Sequence, residues 1–274
     1  MSGVRAAAAG VLAAAWLLAA PASAACGGPE APCEVSDGRY YVAQPAARDD
    51  AGPRPAVIFF HGYRSGGDRV IGNVGLREAV TGAGYLLVAP DGLEGTWAHV
   101  GSPSGRRDEL AFLDQVRADL LARWNVDPRR LLVAGFSQGG SMVWDLACYR
   151  GGDYTAFAAI AGGFWEPLPA SCDGAPVRLW HVHGWADEVV PLEGRPIREV
   201  FRQGDIVQGF TLWRRHNGCT MPPDRRSQTV DLSCRGWTAC EGGRLRLCLH
   251  DGGHRFEAAW VADAIRWMER TAPD

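Results

Sequence analysis

The tightest constraint on the fold is a serine held between glycines. Gly135-Phe136-Ser137-Gln138-Gly139 follows residues 130–134, which read as a short buried strand, and precedes residues 140–147, which read as a helix. A chain that passes from strand to helix in so few residues turns sharply, and glycines on both sides let the helix pack close to the strand. The same turn pushes the serine hydroxyl into the open. As a string the pentapeptide says little, because a chain with 35 glycines can contain it by chance. Its place between strand and helix is what makes Ser137 a candidate nucleophile.

Apolar runs recur on either side of it. Residues 56–60, 85–89 and 156–161 are short and continuously apolar, the pattern of strands buried on both faces, and residues 177–183 read as one more strand. Residues 73–83 predict a helix, and 108–123 predict another, with Leu110, Leu113, Val116, Leu120 and Leu121 at amphipathic spacing. Ahead of the series, residues 26–37 predict an irregular Gly-, Pro- and Cys-rich arm, and 39–44 a strand. Residues 195–216 predict mostly helix, interrupted near Gly204 and Gly209. Two strands are predicted at 229–234 and 244–250, then a terminal amphipathic helix at 256–270. Strands alternating with helices predict an α/β fold, with a mostly parallel central sheet and helices on both faces.

A serine hydroxyl is a poor nucleophile without a base, and the base needs a group that fixes its tautomer. Asp187 follows the run at 177–183 and His254 the run at 244–250, each just past a predicted strand. In a parallel sheet those carboxyl ends share one rim, where reacting groups gather. Ser137, Asp187 and His254 are therefore the candidate catalytic residues, with Glu188, Asp251 and Glu257 as alternative carboxylates. Ester hydrolysis also develops charge on the carbonyl oxygen, which calls for two backbone donors. The amide of Gln138, directly after the serine, and that of Tyr63, in the loop after residues 56–60, are the candidates for this oxyanion hole.

The other histidines compete for roles. His181 and His183 alternate by two and so face one side of a strand, but Zn²⁺ needs at least a third protein ligand and no H-E-x-x-H or Cys-x-x-Cys cluster supplies one. They read as core or rim residues, and neither a metal nor a cofactor is expected. His61 opens the loop at 61–67 and organises it. His99 lies in the aperiodic connection at 93–107, placed to touch substrate or face water. His216 and His250 read as structural. His61, Trp97, Trp165 and Trp185 are the candidate substrate-binding residues, in loops bordering the predicted rim.

Residues 6–20 form an apolar run after Arg5, and Pro21 and Ala22-Ser23-Ala24 follow it. This predicts a secretory signal over residues 1–24 and a single catalytic domain over 25–274, secreted or periplasmic. Cleavage one residue later, before Cys26, would suggest a lipoprotein, yet lipidating Cys26 would leave an odd number among eight cysteines in an oxidising compartment. The net charge of -3 gives no electrostatic footprint for nucleic acid or an anionic membrane, and no stable membrane association is expected.

His61-Gly62, Ala89-Pro90-Asp91-Gly92, Gly135-Phe136-Ser137-Gln138-Gly139, the stretch from His183 to Pro191, Asn217-Gly218-Cys219 and Gly252-Gly253-His254 occur in this order. With them the chain resembles the α/β-hydrolase fold, and more narrowly the secreted polyhydroxybutyrate depolymerases and feruloyl esterases. The resemblance covers roughly residues 39–268 and implies a Ser137-His254-Asp187 triad acting on a carboxylic ester, either a small ester or an ester-bearing polymer. Tyr63-Arg64-Ser65 stands where much of this group has a cysteine or a small residue after His-Gly. A peptidase using the same triad, or a binding protein on the same scaffold, are the alternatives. The expected disulfides are Cys26 with Cys33, Cys148 with Cys172, and the last four cysteines among themselves.

Overall fold

Strand-length runs without polar residues end up buried on both faces, and they build the centre of the molecule. The computed structural model describes residues 26–28, 30–46, 52–220 and 222–270. The predicted leader at 1–24 lies outside them. In chain order the elements are β1 (Cys33–Val35), β2 (Gly38–Ala43), β3 (Arg54–Phe60), α1 (Gly67–Gly72), α2 (Val74–Thr81), β4 (Leu86–Pro90), α3 (Glu109–Arg123), β5 (Val126–Phe136) and α4 (Gln138–Arg150). There follow β6 (Ala156–Ile160), β7 (Arg178–Gly184), β8 (Arg195–Ile197), β9 (Phe201–Gln203), α5 (Ile206–His216), β10 (Arg225–Gln228), β11 (Ser233–Trp237), β12 (Arg244–His250) and α6 (Ala258–Arg270).

Ten strands form one sheet in the order β1-β2-β4-β3-β5-β6-β7-β12-β11-β10. The six from β4 to β12 run parallel, and the two strands at each edge are antiparallel. Side chains alternate across the pleat, so Ile58 and Phe60 of β3 enter one core and Val57 and Phe59 the other. Helices α3, α4 and α5 supply Phe112, Val143 and Trp213 to the first core; α1, α2 and α6 supply Ile71, Leu76 and Trp260 to the second. The molecule is thus an α/β-hydrolase fold with helices on both faces. Asn73, Asp108 and Asp205 begin α2, α3 and α5 by accepting an N–H three residues on, which satisfies a donor the helix leaves open.

Three expectations are corrected. Residues 195–216 are not mostly helix: β8 and β9 form a hairpin over the first part, and only α5 is helical. Pro196 lacks the donor a helix interior needs, and Gly194, at φ 69°, turns the chain before β8. The strand predicted at 229–234 is mostly a turn, in which Thr229 accepts the Leu232 amide through its hydroxyl, and strands lie on either side of it. The arm at 26–37 is not wholly irregular, since β1 pairs with β2 along the sheet edge. The disulfides are Cys26–Cys33, Cys148–Cys172, Cys219–Cys240 and Cys234–Cys248, as expected for the first two pairs and for pairing within the last four.

Candidate active site

The turn between β5 and α4 is fitted at backbone level. Ser137 sits at φ 59° and ψ -122°, a conformation that costs a non-glycine residue about 1–3 kcal/mol. Neighbouring hydrogen bonds hold it there: the Ser137 amide donates to Ile160 O at 2.9 Å, and the Ser141 amide donates to Ser137 O at 3.0 Å. A Cβ on Gly135 would lie 2.4 Å from Gly139 O, and one on Gly139 would lie 2.1 Å from Phe60 O. Only glycine fits at either place. The serine hydroxyl consequently stands at the carboxyl rim of the parallel strands.

The other two candidates arrive from β7 and β12, which are neighbours in the sheet. Their loops are bonded to each other, Trp185 N to His250 O at 2.9 Å and Ala186 N to Gly252 O at 3.2 Å. His254 Nδ1 lies 2.8 Å from Asp187 Oδ2, and His254 Nε2 lies 2.9 Å from Ser137 Oγ. Because the carboxylate only accepts, Nδ1–H donates to it and Nε2 is left to accept from the serine. Asp187 Oδ1 is occupied separately by the amides of Val189 and Val190, at 2.9 and 2.8 Å. Burial pushes the Asp187 carboxyl towards the neutral acid, but the His254 bond and the Val190 amide outweigh it and hold the group below its ordinary range. The three residues thus form one hydrogen-bonded line. Glu188, Asp251 and Glu257 take no part in it.

In front of Ser137 lies a cavity of about 580 Å³, a volume that suits a small organic ligand. Gln138 and Tyr63 both border it. Gln138 is the first residue of α4, ahead of any intrahelical donor bond. Gly62, before Tyr63, is so placed that a Cβ on it would be 3.5 Å from Ser137 Cβ. The backbone segments holding the two predicted oxyanion donors therefore flank Ser137.

The predicted substrate-binding residues divide. Trp165 lines the cavity and stacks on His99 behind it, with ring centroids 6.3 Å apart. Trp185 is exposed but does not line the cavity. His61 and Trp97 are corrected: each is buried, and neither reaches the cavity. His61 Nδ1 donates to Gly62 O and its Nε2 accepts from Gly92 N, while Trp97 Nε1 donates to His61 O. Together they join the loops after β3 and β4. His99 neither lines the cavity nor faces water, since it is buried with Nδ1 2.7 Å from Asp145 Oδ2.

His181 and His183 belong to a line of neutral rings. Trp144 Nε1 donates to His181 Nδ1 at 3.2 Å, His181 Nε2 lies 2.9 Å from His183 Nδ1, and His183 Nε2 donates to Val190 O at 2.7 Å. Burial lowers the pKa of both rings, so each keeps a single N–H. The line runs from the helix after Ser137 to the loop that holds Asp187.

Two contributors had no clear sequence signal. Thr96 exchanges hydrogen bonds with the Gln138 side chain, at 2.8 Å from Nε2, and so orients it. The β8–β9 hairpin lends Arg195, Ile197, Arg198 and Gln203 to the cavity wall. Gly194, Pro196 and Gly204 marked that stretch as broken into short pieces, and this was the available hint.

No protein-family model matches the chain. Feruloyl esterase C of Emericella nidulans is 31% identical over 168 residues, which span 58% of this chain and 58% of that protein, less than two thirds of its length. The probable feruloyl esterase C of Aspergillus terreus is 30% identical over 239 residues, spanning 84% of this chain and 81% of that one. Among solved structures, an acetyl xylan esterase from Aspergillus awamori superposes with a TM-score of 0.62 at 13% identity, covering 84% of this chain and 93% of its own. A phospholipase/carboxylesterase from Dyadobacter fermentans gives 0.58 at 14%, covering 86% and 99%. At these identities the structural likeness speaks for the fold.

Proposed function

The chain belongs to the feruloyl esterase C family of carboxylic ester hydrolases, and from that premise we propose that it is a secreted serine esterase working through an acyl-enzyme. The observation that carries this reading is the continuous line Ser137 Oγ, His254, Asp187, with spacings of 2.9 and 2.8 Å. His254 Nε2 takes the hydroxyl proton as Ser137 Oγ bonds to the ester carbonyl carbon. The carbonyl electron pair moves onto oxygen, where the amides of Gln138 and Tyr63 receive it. On collapse the alcohol leaves with the proton from His254, and the acyl group stays on Ser137. Water then attacks the acyl carbon with His254 again as base, releasing the acid and restoring the serine. Asp187, ionised throughout, holds Nδ1–H and stabilises the imidazolium formed in each half.

Four disulfides support an oxidising compartment, and with it the leader at 1–24 and one mature catalytic domain over 25–274. No helix among the described residues is long and apolar enough to cross a membrane. The family points to hydroxycinnamate esters, whether free or carried on a polymer. Ser137→Ala tests the mechanism: p-nitrophenyl ester and methyl ferulate turnover should fall about 10⁴- to 10⁶-fold, and labelling by a fluorophosphonate probe should vanish. Undiminished turnover by a folded Ser137→Ala protein would remove Ser137 as nucleophile.

A further inference from the structure

The cavity in front of Ser137 is basic although the chain as a whole is acidic, with a net charge of -3. Its walls carry four arginines and one carboxylate. Arg64, Arg106 and Glu94 come from the loops after β3 and β4, and Arg195 and Arg198 from the β8–β9 hairpin. Arg106 is paired with Glu94. Arg195 spends its Nε on Val189 O and Gln203 Oε1, at 2.8 and 3.1 Å, which holds its side chain without neutralising it. Among the described residues no carboxylate forms an ion pair with Arg64, Arg195 or Arg198. Three uncompensated cations thus face the space that an ester must enter to reach the serine.

Exposed arginines are often no more than solvated surface. The backbone argues otherwise for two of these. Arg64 and Arg198 lie at φ 59° and φ 57°, in the left-handed region where glycine is the residue of least strain. Holding a side chain there costs about 1–2 kcal/mol, and such strain gathers at functional sites. Arg64 is further fixed by packing over the Tyr63 ring, with the guanidinium carbon 5.2 Å from the centroid. The two strained arginines line one cleft, Arg64 from the loop after β3 and Arg198 from the β8–β9 hairpin, and Trp165, Val189 and Ile197 add apolar surface to the same lining.

We propose that this cleft selects esters bearing an additional carboxylate, on either the acid or the alcohol part, and that Arg64 and Arg198 determine that preference. The proposal rests on the esterase function above and adds the charge of its substrate. A guanidinium offers a planar fork that matches a carboxylate, whereas a lysine would offer only a point charge. The apolar surface takes the ring or chain between the ester carbonyl and the anionic end. Because Arg64 and Arg198 are exposed, their attraction is screened within about 8 Å at physiological salt, so the preference should fade as salt rises.

The test uses two matched pairs. Where the charge lies on the acid side, the mono-p-nitrophenyl ester of glutaric acid is compared with p-nitrophenyl butyrate. Where it lies on the alcohol side, the ferulate ester of a hydroxycarboxylic acid is compared with methyl ferulate. At low salt at least one anionic member should exceed its neutral twin in kcat/KM by about tenfold or more, mainly through KM, and high salt should shrink the ratio. In R64Q/R198Q the ratio should approach one. R64G/R198G guards against misfolding, because glycine relieves both strained positions: its Tm should match or exceed that of the parent while the ratio still collapses. An anionic ester that never exceeds its twin, or a ratio unchanged in either double variant, overturns the proposal. The neutral twins keep the two questions apart, since failure to hydrolyse any ester would sink the esterase function itself.

Discussion

The two strands that bring Ser137 and His254 to one rim are built in opposite ways. β5 lies inside the parallel sheet between β3 and β6, and the turn at its end is fitted so closely that a Cβ on Gly135 or Gly139 would run into backbone atoms. β12 borders the antiparallel edge, where β11 and β10 carry exposed arginines and the strands are cross-linked by Cys234–Cys248. Nearby, Cys219–Cys240 ties the end of α5 to the segment after β11. Ser137 is therefore held by close backbone packing. His254 follows a segment braced by covalent bonds next to an exposed sheet edge.

The largest effect that could break this contrast comes from one methyl group placed on each side. In Gly139→Ala the new Cβ would meet Phe60 O at 2.1 Å and His61 O at 2.6 Å, both backbone atoms of the strand and loop beside Ser137. We expect a loss of more than about 4 kcal/mol, with esterase turnover abolished even in any folded fraction. Gly236→Ala in β11 would meet Arg225 Cβ at 3.2 Å, a contact that a shift of the exposed edge strand β10 by a few tenths of an ångström relieves. Its cost should stay within about 1 kcal/mol, read by urea denaturation of both variants. Equal losses would show that the two sides are packed alike.

The same contrast explains what the residues revealed in advance. Strands β3, β4, β6 and β7 were legible because apolar runs such as Val57-Ile58-Phe59-Phe60 have no other stable use in a chain of this kind. Ser137, Asp187 and His254 were legible because their positions past strand ends bring them together once the sheet is parallel. The edge was not. All four residues of β10 are exposed, so no apolar alternation marks it, and its pairing with β11 is decided by a turn at Thr229 and Leu232. His61 and Trp97 were misplaced for a related reason: an aromatic residue in a glycine-rich loop reads as a ligand contact until the loop is seen to fold its rings inward, Trp97 donating to the His61 carbonyl and His61 accepting from the Gly92 amide.

A smaller effect sharpens the covalent half. Replacing Cys234 and Cys248 by serine opens a loop with a sequence separation of 14, which should cost about 3 kcal/mol. Cys234 and Cys248 are directly paired across β11 and β12, so the variant should still fold and pair in the same register. Inactivation by heat should then begin at lower temperature, while the amides of β5 and β6 keep their hydrogen-exchange protection until global unfolding. If protection in β5 and β6 is lost together with activity, the edge is no separate unit.

The smallest effect concerns the line that joins the two sides, from Trp144 on α4 through His181 and His183 to Val190. Each ring accepts at Nδ1 and donates at Nε2, so a second proton would turn an acceptor toward an existing N–H. Burial lowers both pKa values below that of a histidine in the unfolded chain, about 6.5. Between the folded and unfolded values the unfolded chain binds more protons, so stability should be flat above about pH 6.5 and fall as pH drops below it. Each ring contributes at most about 1.4 kcal/mol per pH unit. His181→Gln, which can accept and donate without titrating, should lower stability at pH 7 yet flatten the slope on the acid side. His61 and His250 are lowered by burial too, so the slope should shrink without vanishing. An unchanged slope would mean that His181 is already released to solvent before the fold gives way, and that the histidine line does not hold the helix after Ser137 to the Asp187 loop.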